Sequence, residues 1–169
     1  MKSTLSLLFI LMYFSGCTIE NPEVPKNSIS YELYQASDFD FSGVLTVNEL
    51  ADGLLEFVIQ LDGTKGNGQT EYLTHLHFGS YNSPDTPIAL VLQPVNSASL
   101  KSTTILSELS DGSELTYEKI QSFSGHVKIH LDKEGPDYEV ILAAGNIGLS
   151  QVENSLFDKE AITLCSKLF

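Results

Sequence analysis

The stretch from Gly43 to Leu61, GVLTVNELADGLLEFVIQL, decides the fold class of this 169-residue chain. Two apolar runs flank Ala51-Asp52-Gly53, the kind of turn that joins two strands into a β-hairpin. The second run has the two-residue period of a strand with one buried face, which is carried by Leu55, Phe57, Ile59 and Leu61. The stretch therefore predicts a pair of antiparallel strands.

The rest of the chain from Tyr31 onward continues this pattern. Short β-branched and aromatic runs are separated by Gly, Pro, Asn and Asp, which is typical of an all-β protein. The run IALVLQPV, which starts at Ile88, predicts a strand buried on both faces or in a sandwich core. One short helix is predicted in LTYEKIQSF, where Thr116 can cap the first turn. Near the end, AITLC is expected to add an edge strand that contains Cys165.

The first residues have the grammar of a secretory signal. Lys2 precedes an apolar stretch from Leu5 to Phe14, which is too short to span a bilayer, and two small residues then precede Cys17. This arrangement resembles the lipobox of bacterial lipoproteins, which implies a signal peptide over residues 1–16 and a lipid on Cys17. The alternative is a simply secreted protein in which Cys17 pairs with Cys165.

Behind the leader, residues 17–30 contain two prolines and little apolar periodicity, so they predict a tether. Residues 31–169 are enough for one domain with a core of its own. The chain has 9 basic residues, none of them Arg, and 22 acidic ones, which gives a formal net charge of −13. Such a surface repels nucleic acid and anionic lipid, so the acyl chains alone would make the membrane contact.

All four histidines fall in two short segments, YLTHLHFG and GHVKIHLD. His75 and His77 are two apart in a strand and share a face at a spacing of roughly 6–7 Å. His126 and His130 are about 13 Å apart along an extended strand, too far to bind one ion at ~2 Å per nitrogen. One of them can join the first pair in a three-imidazole site for copper or zinc. The alternative is that the imidazoles hydrogen-bond to backbone carbonyls, and the Lys128 cation between the second pair disfavours a bound dication.

The order of motifs resembles the CHRD domain, a family first described in chordin and frequent in bacterial secreted and lipid-anchored proteins. The matching segments run from residue 43 to residue 148 and are THLHFG, IALVLQPV, ELTYEKI, GHVKIH and VILAAGNIG. His75, His77 and His130 fall on histidines of the family, whereas His126 stands where Tyr is usual and Lys128 where Asn is usual. The closing strand also lacks the family's Arg-Gly pair. The resemblance implies an immunoglobulin-like antiparallel β-sandwich. It does not imply an enzyme, because the chordin repeats act in binding other proteins.

The segment HLHFGS also resembles the copper-binding strand of copper–zinc superoxide dismutase. That family uses a fourth copper histidine, a zinc loop, an active-site arginine and a disulfide. This chain has no Arg and no further histidine for a zinc loop, and its acidic surface would repel superoxide. Dismutase activity is therefore not expected.

These observations predict a lipid-anchored, extracytoplasmic binding module at a bacterial membrane, most reasonably the outer membrane. Loops such as Gly63–Glu71 and Ser80–Pro87 would present it to a protein or glycan ligand, and no catalytic residues are predicted. The alternative function is a copper- or zinc-binding protein that uses His75, His77 and His130.

Overall fold

The computed structural model describes residues 24–84, 86–106 and 108–164. The predicted signal peptide, Cys17 and Cys165 lie outside these residues. The eight strands are β1 Asn27–Gln35, β2 Ser42–Glu49, β3 Leu55–Asp62, β4 Glu71–Phe78, β5 Ile88–Asn96, β6 Lys101–Leu106, β7 Ser124–His130 and β8 Ile141–Gly148. The helices are α1 Tyr117–Ile120 and three 3₁₀ helices, η1 Pro136–Glu139, η2 Leu149–Leu156 and η3 Lys159–Ala161.

The strands form a closed antiparallel barrel in the order β1-β2-β3-β6-β5-β4-β7-β8. The ring closes where β1 meets β8, with Tyr34 opposite Ala144 and Gln35 opposite Ala143. The predicted immunoglobulin-like sandwich is therefore wrong, because a sandwich keeps two separate sheets whereas these strands make one continuous ring. The alternating pattern that predicts the strands is the same in both architectures, so it could not distinguish them.

The predicted hairpin is confirmed, since β2 and β3 pair along their whole length, from Ser42 opposite Asp62 to Glu49 opposite Leu55. Their inward side chains fill the barrel together with those of the other strands. The largest members of this core are at most 2 % exposed and include Tyr31, Leu33, Leu45, Leu55, Phe57, Ile59, Leu61, Leu76 and Leu92. Close-packed apolar side chains, and not a channel, thus occupy the interior of the barrel.

Strand β5 differs from its prediction as a strand buried on both faces. Leu92 points into the core and is 2 % exposed, whereas its neighbour Val91 is 57 % exposed. This strand has one buried and one exposed face, as is usual in a barrel. Its sequence is a continuous apolar run because the outward positions carry apolar side chains as well.

The short helix is confirmed, with Thr116 as its N-cap: the side-chain hydroxyl of Thr116 accepts a hydrogen bond from the amide of Lys119 at 3.3 Å. The C-terminal edge strand is not formed in the part of AITLC that the structure describes, where η3 ends at Ala161 and no strand follows up to residue 164. The strand β1 begins at Asn27, so residues 27–30 belong to the barrel and not to the tether.

The antiparallel register defines two ends of the barrel. The chain enters β1 at Asn27, and because β8 runs antiparallel to β1, Gly148 at the end of β8 lies at the same end. We call this the entry end. The opposite end, which we call the distal end, carries the loop between β3 and β4 and the turn between β7 and β8. None of the helices in the described ranges is long and apolar enough to cross a membrane.

Candidate functional site

The four histidines lie together on the outer face of the barrel. Strands β4 and β7 pair so that His75 is opposite Lys128 and His77 is opposite His126. The residues between them in β7, Val127 and Ile129, point into the core, as the sequence predicts. We call the outward set the histidine layer; its members are His75, His77, His126, Lys128 and His130.

The histidine layer is buried although it faces outward. Its members are between 0 and 4 % exposed, because Tyr81, Tyr138 and the C-terminal segment 149–164 pack over the outer face of the barrel. The ammonium of Lys128 donates a hydrogen bond to the carbonyl of Thr163, and the hydroxyl of Thr163 donates to the carbonyl of Ser83 at 2.8 Å. Tyr81 in the loop Ser80–Pro87 is only 2 % exposed. Ser80 and Tyr81 of this loop therefore help to cover the histidines. Asn82, Pro84 and Pro87 of the same loop are exposed, so its presentation to a ligand stays a prediction.

Asn146 in β8 holds this cover in place. Its side-chain carbonyl accepts from the amide of Tyr81 at 2.9 Å, and its side-chain amide donates to the hydroxyl of Ser80 at 2.9 Å. That hydroxyl donates to the carboxylate of Glu153 at 2.6 Å, and Asn154 makes two hydrogen bonds with the backbone of Asn146. Sequence reasoning missed this network. The signal was present, since Asn is uncommon inside a strand and this one sits in the apolar run VILAAGNIG.

Hydrogen bonds fix the tautomer of three imidazoles. Nδ1 of His77 lies 3.0 Å from the carbonyl of Thr86, Nδ1 of His126 lies 2.7 Å from that of Gly79, and Nδ1 of His130 lies 2.6 Å from that of Tyr138. A carbonyl oxygen can only accept, so each Nδ1 carries the proton. In the neutral ring the lone pair is then on Nε2.

Two ring nitrogens of the layer are buried without a hydrogen-bond partner among the described residues, Nδ1 of His75 and Nε2 of His126. Such atoms are costly, at about 1–3 kcal/mol each, because they have lost water and gained nothing in return. An unpaired lone pair of this kind is also what a ligand or a metal ion would use.

The four imidazole rings are neighbours in the order His130, His75, His77, His126. The ring centroid of His75 is 5.8 Å from that of His77 and 5.1 Å from that of His130. His126 instead stacks on His77, with centroids 4.8 Å apart and planes at 8°, so these two rings do not converge on a common point. The ring of His75 is thus a neighbour of the other two predicted ligands, His77 and His130, and His126 contacts His77.

The four imidazoles of the histidine layer are uncharged near pH 7. Burial, followed by repulsion from His130, His77 and Lys128, lowers the pKa of His75 from 6.5 to about 3. Burial is also the largest cause for the others, and it lowers the pKa of His126 to about 3 and those of His77 and His130 to about 4. Neutral imidazole is the form that binds metals.

The arrangement of the imidazole rings meets only some of the requirements of a metal site. Two imidazoles that bind one ion at ~2 Å and a tetrahedral angle have ring centroids about 5 Å apart, close to the two spacings around His75. Within the described ranges, however, no group of three or more His, Cys, Asp or Glu side chains is arranged so that it could hold a metal ion. The rings of His75, His77 and His130 would have to turn before they could share one.

A second candidate site lies at the distal end, beside the predicted ligand loop Gly63–Glu71. Ser97 anchors this loop, since its carbonyl accepts from the amide of Gly66 at 2.9 Å and its hydroxyl from that of Gly68 at 3.1 Å. A polar groove of about 260 Å³ runs between the end of the loop and the β7–β8 turn. It is lined by Gln69, Thr70, Glu71, Asp132 and Lys133. The groove is thus lined by polar groups of several kinds: carboxylates, an amide, a hydroxyl and an ammonium.

Comparison with known proteins adds no relative to this description. No family model matches the chain, no curated protein matches it, and no solved structure matches it. The resemblance to CHRD domains therefore stays a prediction.

Proposed function

We propose that this protein is a lipid-anchored module of the cell envelope that binds a hydroxyl-rich ligand, such as a glycan, at its distal end. The observation that carries the proposal is the position of the predicted ligand loop. The chain leaves the tether at the entry end, with Asn27 opposite Glu49, whereas the loop follows Asp62, at the other end of the same strands. A tether at one end presents the other end to the surroundings.

The chemistry of the distal groove supports a polar ligand. Glu71 and Asp132 can accept hydrogen bonds from hydroxyl groups, while Gln69 and Lys133 can donate them. A protein partner that docks through apolar side chains would find none in this groove. The acidic character of the whole chain further favours a neutral or basic ligand over an anionic one.

The proposal is tested by measuring binding of the purified chain to a panel of immobilised neutral, basic and acidic glycans. Glu71→Gln and Asp132→Asn should each weaken binding by about tenfold, as expected for loss of a hydrogen bond to a charged group. Glu118→Gln is the matched control, because it removes the same charge from an exposed position on α1, at the entry end. If Glu71→Gln and Asp132→Asn bind the glycans as tightly as Glu118→Gln does, the groove is not the binding site.

A second candidate function is extracytoplasmic binding of copper or zinc by His75, His77 and His130. The observation in its favour is the buried, unpartnered Nδ1 of His75, next to two rings whose lone pairs are on Nε2. Carbonyls that accept from the Nδ1 of a histidine are a common second shell of metal ligands. The nearby charge of Lys128 opposes a dication, so we expect weaker binding than at a preformed site.

Elemental analysis separates this candidate from a purely structural role. Protein purified without a histidine tag is loaded with copper or zinc and dialysed, and the metal content is compared with that of His75→Ala/His77→Ala. His126→Gln is the control, since this histidine is not one of the three proposed ligands and its ring stacks parallel to that of His77. Stoichiometric metal in the wild type and the control, lost in the double variant, supports the site; no retained metal after loading excludes it. Circular dichroism checks that each variant is folded.

A further inference from the structure

Helix η2 carries an apolar patch on the outside of the barrel. Leu149 is 61 % exposed, Val152 is 80 % exposed and Leu156 is 83 % exposed. We call these three residues the η2 patch. At about 2 Å per residue in a 3₁₀ helix, the patch extends over roughly 14 Å. Large apolar side chains that stay in water within such a short segment indicate an interaction surface.

The rest of the helix is fixed to the barrel, so the patch cannot simply fold inward. The hydroxyl of Ser150 lies 2.7 Å from that of Ser124, and the side chain of Asn154 bonds to the backbone of Asn146. Phe157, directly after the helix, stacks on Tyr34 with ring centroids 4.9 Å apart. The buried residues of η2 are thus two polar ones, Ser150 and Asn154, while its large apolar residues face out, the reverse of the usual arrangement.

The patch lies beside the point where the chain would arrive from a membrane. Gly148, which precedes η2, ends β8 at the entry end, and Glu32 and Tyr34 of β1 line one groove together with Leu149 and Val152. Only six residues lie between Cys17 and Val24, and the seven steps along the chain span about 25 Å at full extension. Val24 itself is 84 % exposed. A lipid on Cys17 would therefore hold the entry end, with the η2 patch, within reach of the bilayer surface.

We propose that the η2 patch docks on the lipid bilayer, so that the domain rests on the membrane through Leu149, Val152 and Leu156 and not through its anchor alone. This inference rests on the lipid anchor of the proposed function. A lipid chain and a few apolar side chains are the two weak signals that together give stable attachment. Glu32 and Glu153 lie near the patch, so an uncharged, zwitterionic lipid surface suits it better than an anionic one.

The chain contains no Trp, so one introduced Trp reports its own surroundings without background. The full chain is bound to phosphatidylcholine vesicles with brominated acyl chains, which quench a Trp that enters the bilayer. Val152→Trp places the probe in the η2 patch. Glu134→Trp is the matched control, an exposed site in the β7–β8 turn at the distal end. We expect Val152→Trp to be quenched at least about threefold more strongly, with a blue-shifted emission, as for side chains at the headgroup boundary.

A second set of variants excludes an effect of the probe itself. Leu149→Ser/Leu156→Ser in the Val152→Trp background should reduce the quenching by about half or more, because two of the three apolar side chains are gone. Vesicle flotation is measured in parallel and shows separately whether the lipid anchor attaches the chain to the vesicles. If the chain floats with the vesicles while Val152→Trp is quenched no more than Glu134→Trp, the inference is overturned and the anchor stands.

Two further outcomes would also overturn it. If the chain does not float with vesicles, both the anchor and the docking fail. If Val152→Trp in a Cys17→Ser chain shows a blue shift without vesicles that grows with protein concentration, a second copy of the chain occupies the patch in place of lipid.

Discussion

His130 is held twice by Tyr138: its Nδ1–H donates to the Tyr138 carbonyl at 2.6 Å, and the two rings stack with centroids 4.4 Å apart and planes at 11°. The hydrogen bond fixes the tautomer of the imidazole and the stacked ring fixes its plane. Tyr138 lies in η1, outside the strands, so a turn of the chain positions a histidine of the barrel.

We expect Tyr138→Ala to lower the free energy of unfolding by about 3 kcal/mol, since it removes a buried ring and leaves a cavity beside His130. Tyr138→Phe keeps the stacked ring and should cost only about 1 kcal/mol. Urea unfolding followed by circular dichroism measures both. Equal losses in the two variants would show that the hydroxyl, and not the ring, matters.

Stability should fall as the pH is lowered from about 6.5. Burial holds the pKa values of the four imidazoles at about 3 to 4, whereas in the unfolded chain they return to about 6.5. Between these values the unfolded state binds protons that the folded state does not, so the stabilisation present above pH 6.5 is lost as the pH falls toward the folded values. Each imidazole contributes at most about 1.4 kcal/mol per pH unit.

The measurement is the urea midpoint at pH 7.5, 6.5, 5.5 and 5.0. Carboxylates contribute little above pH 5, so a decline in this range comes from the imidazoles. In His126→Gln the urea midpoint should fall less steeply with decreasing pH, because one of the four buried imidazoles is gone. A midpoint that stays constant from pH 7.5 to 5.0 would contradict the burial of these rings.

The charge of Lys128 should be felt by every imidazole of the layer, because it lowers the pKa of all four histidines. Lys128→Met keeps the length of the side chain and removes its charge, so the four pKa values should rise toward 6.5. An NMR titration of the imidazole resonances measures them. Lys65→Met, at an exposed position in the β3–β4 loop, is the control and should leave them unchanged. If Lys128→Met also leaves them unchanged, repulsion by Lys128 does not lower the pKa values of these imidazoles.

Neighbouring residues of β5 should differ strongly in their effect on stability. Leu92→Ala is expected to cost about 3 kcal/mol, because it opens a cavity in the barrel core. Val91→Ala on the outer face should stay within about 0.5 kcal/mol. The free energy of unfolding in urea tests the pair, and a large loss in Val91→Ala would mean that both faces of β5 are buried, as its sequence alone suggests.

Much of the fold could be predicted from local patterns. The period of two in LLEFVIQL gives both the strand and its inward face, and Thr116 gives the start of the helix. Closure of the ring could not be predicted in this way, because the pairing of Tyr34 with Ala144 joins residues whose local sequence holds no sign of each other. The resemblance to a sandwich family then favoured the wrong architecture.

The candidate site was predicted in the same partial manner. Strand geometry placed His75 with His77, and their ring centroids lie 5.8 Å apart. The separation of His126 from His130 stays a prediction. The burial of these rings could not be predicted from their own strands, because the cover comes from Tyr81, from Tyr138 and from residues after Gly148. An outward-facing histidine is normally exposed to solvent. These four are buried because segments that are distant in sequence pack over them.

The pairing of β1 with β8 has a consequence for how the chain reaches its folded form. The first strand cannot find its last neighbour until on the order of 100 further residues have been made, and contacts at such separation in sequence form slowly. A growing chain therefore lacks its closed ring until nearly all of it has been synthesised. Until then, β1 keeps an open edge that another chain could pair with, and this edge is the point at which we expect aggregation to begin.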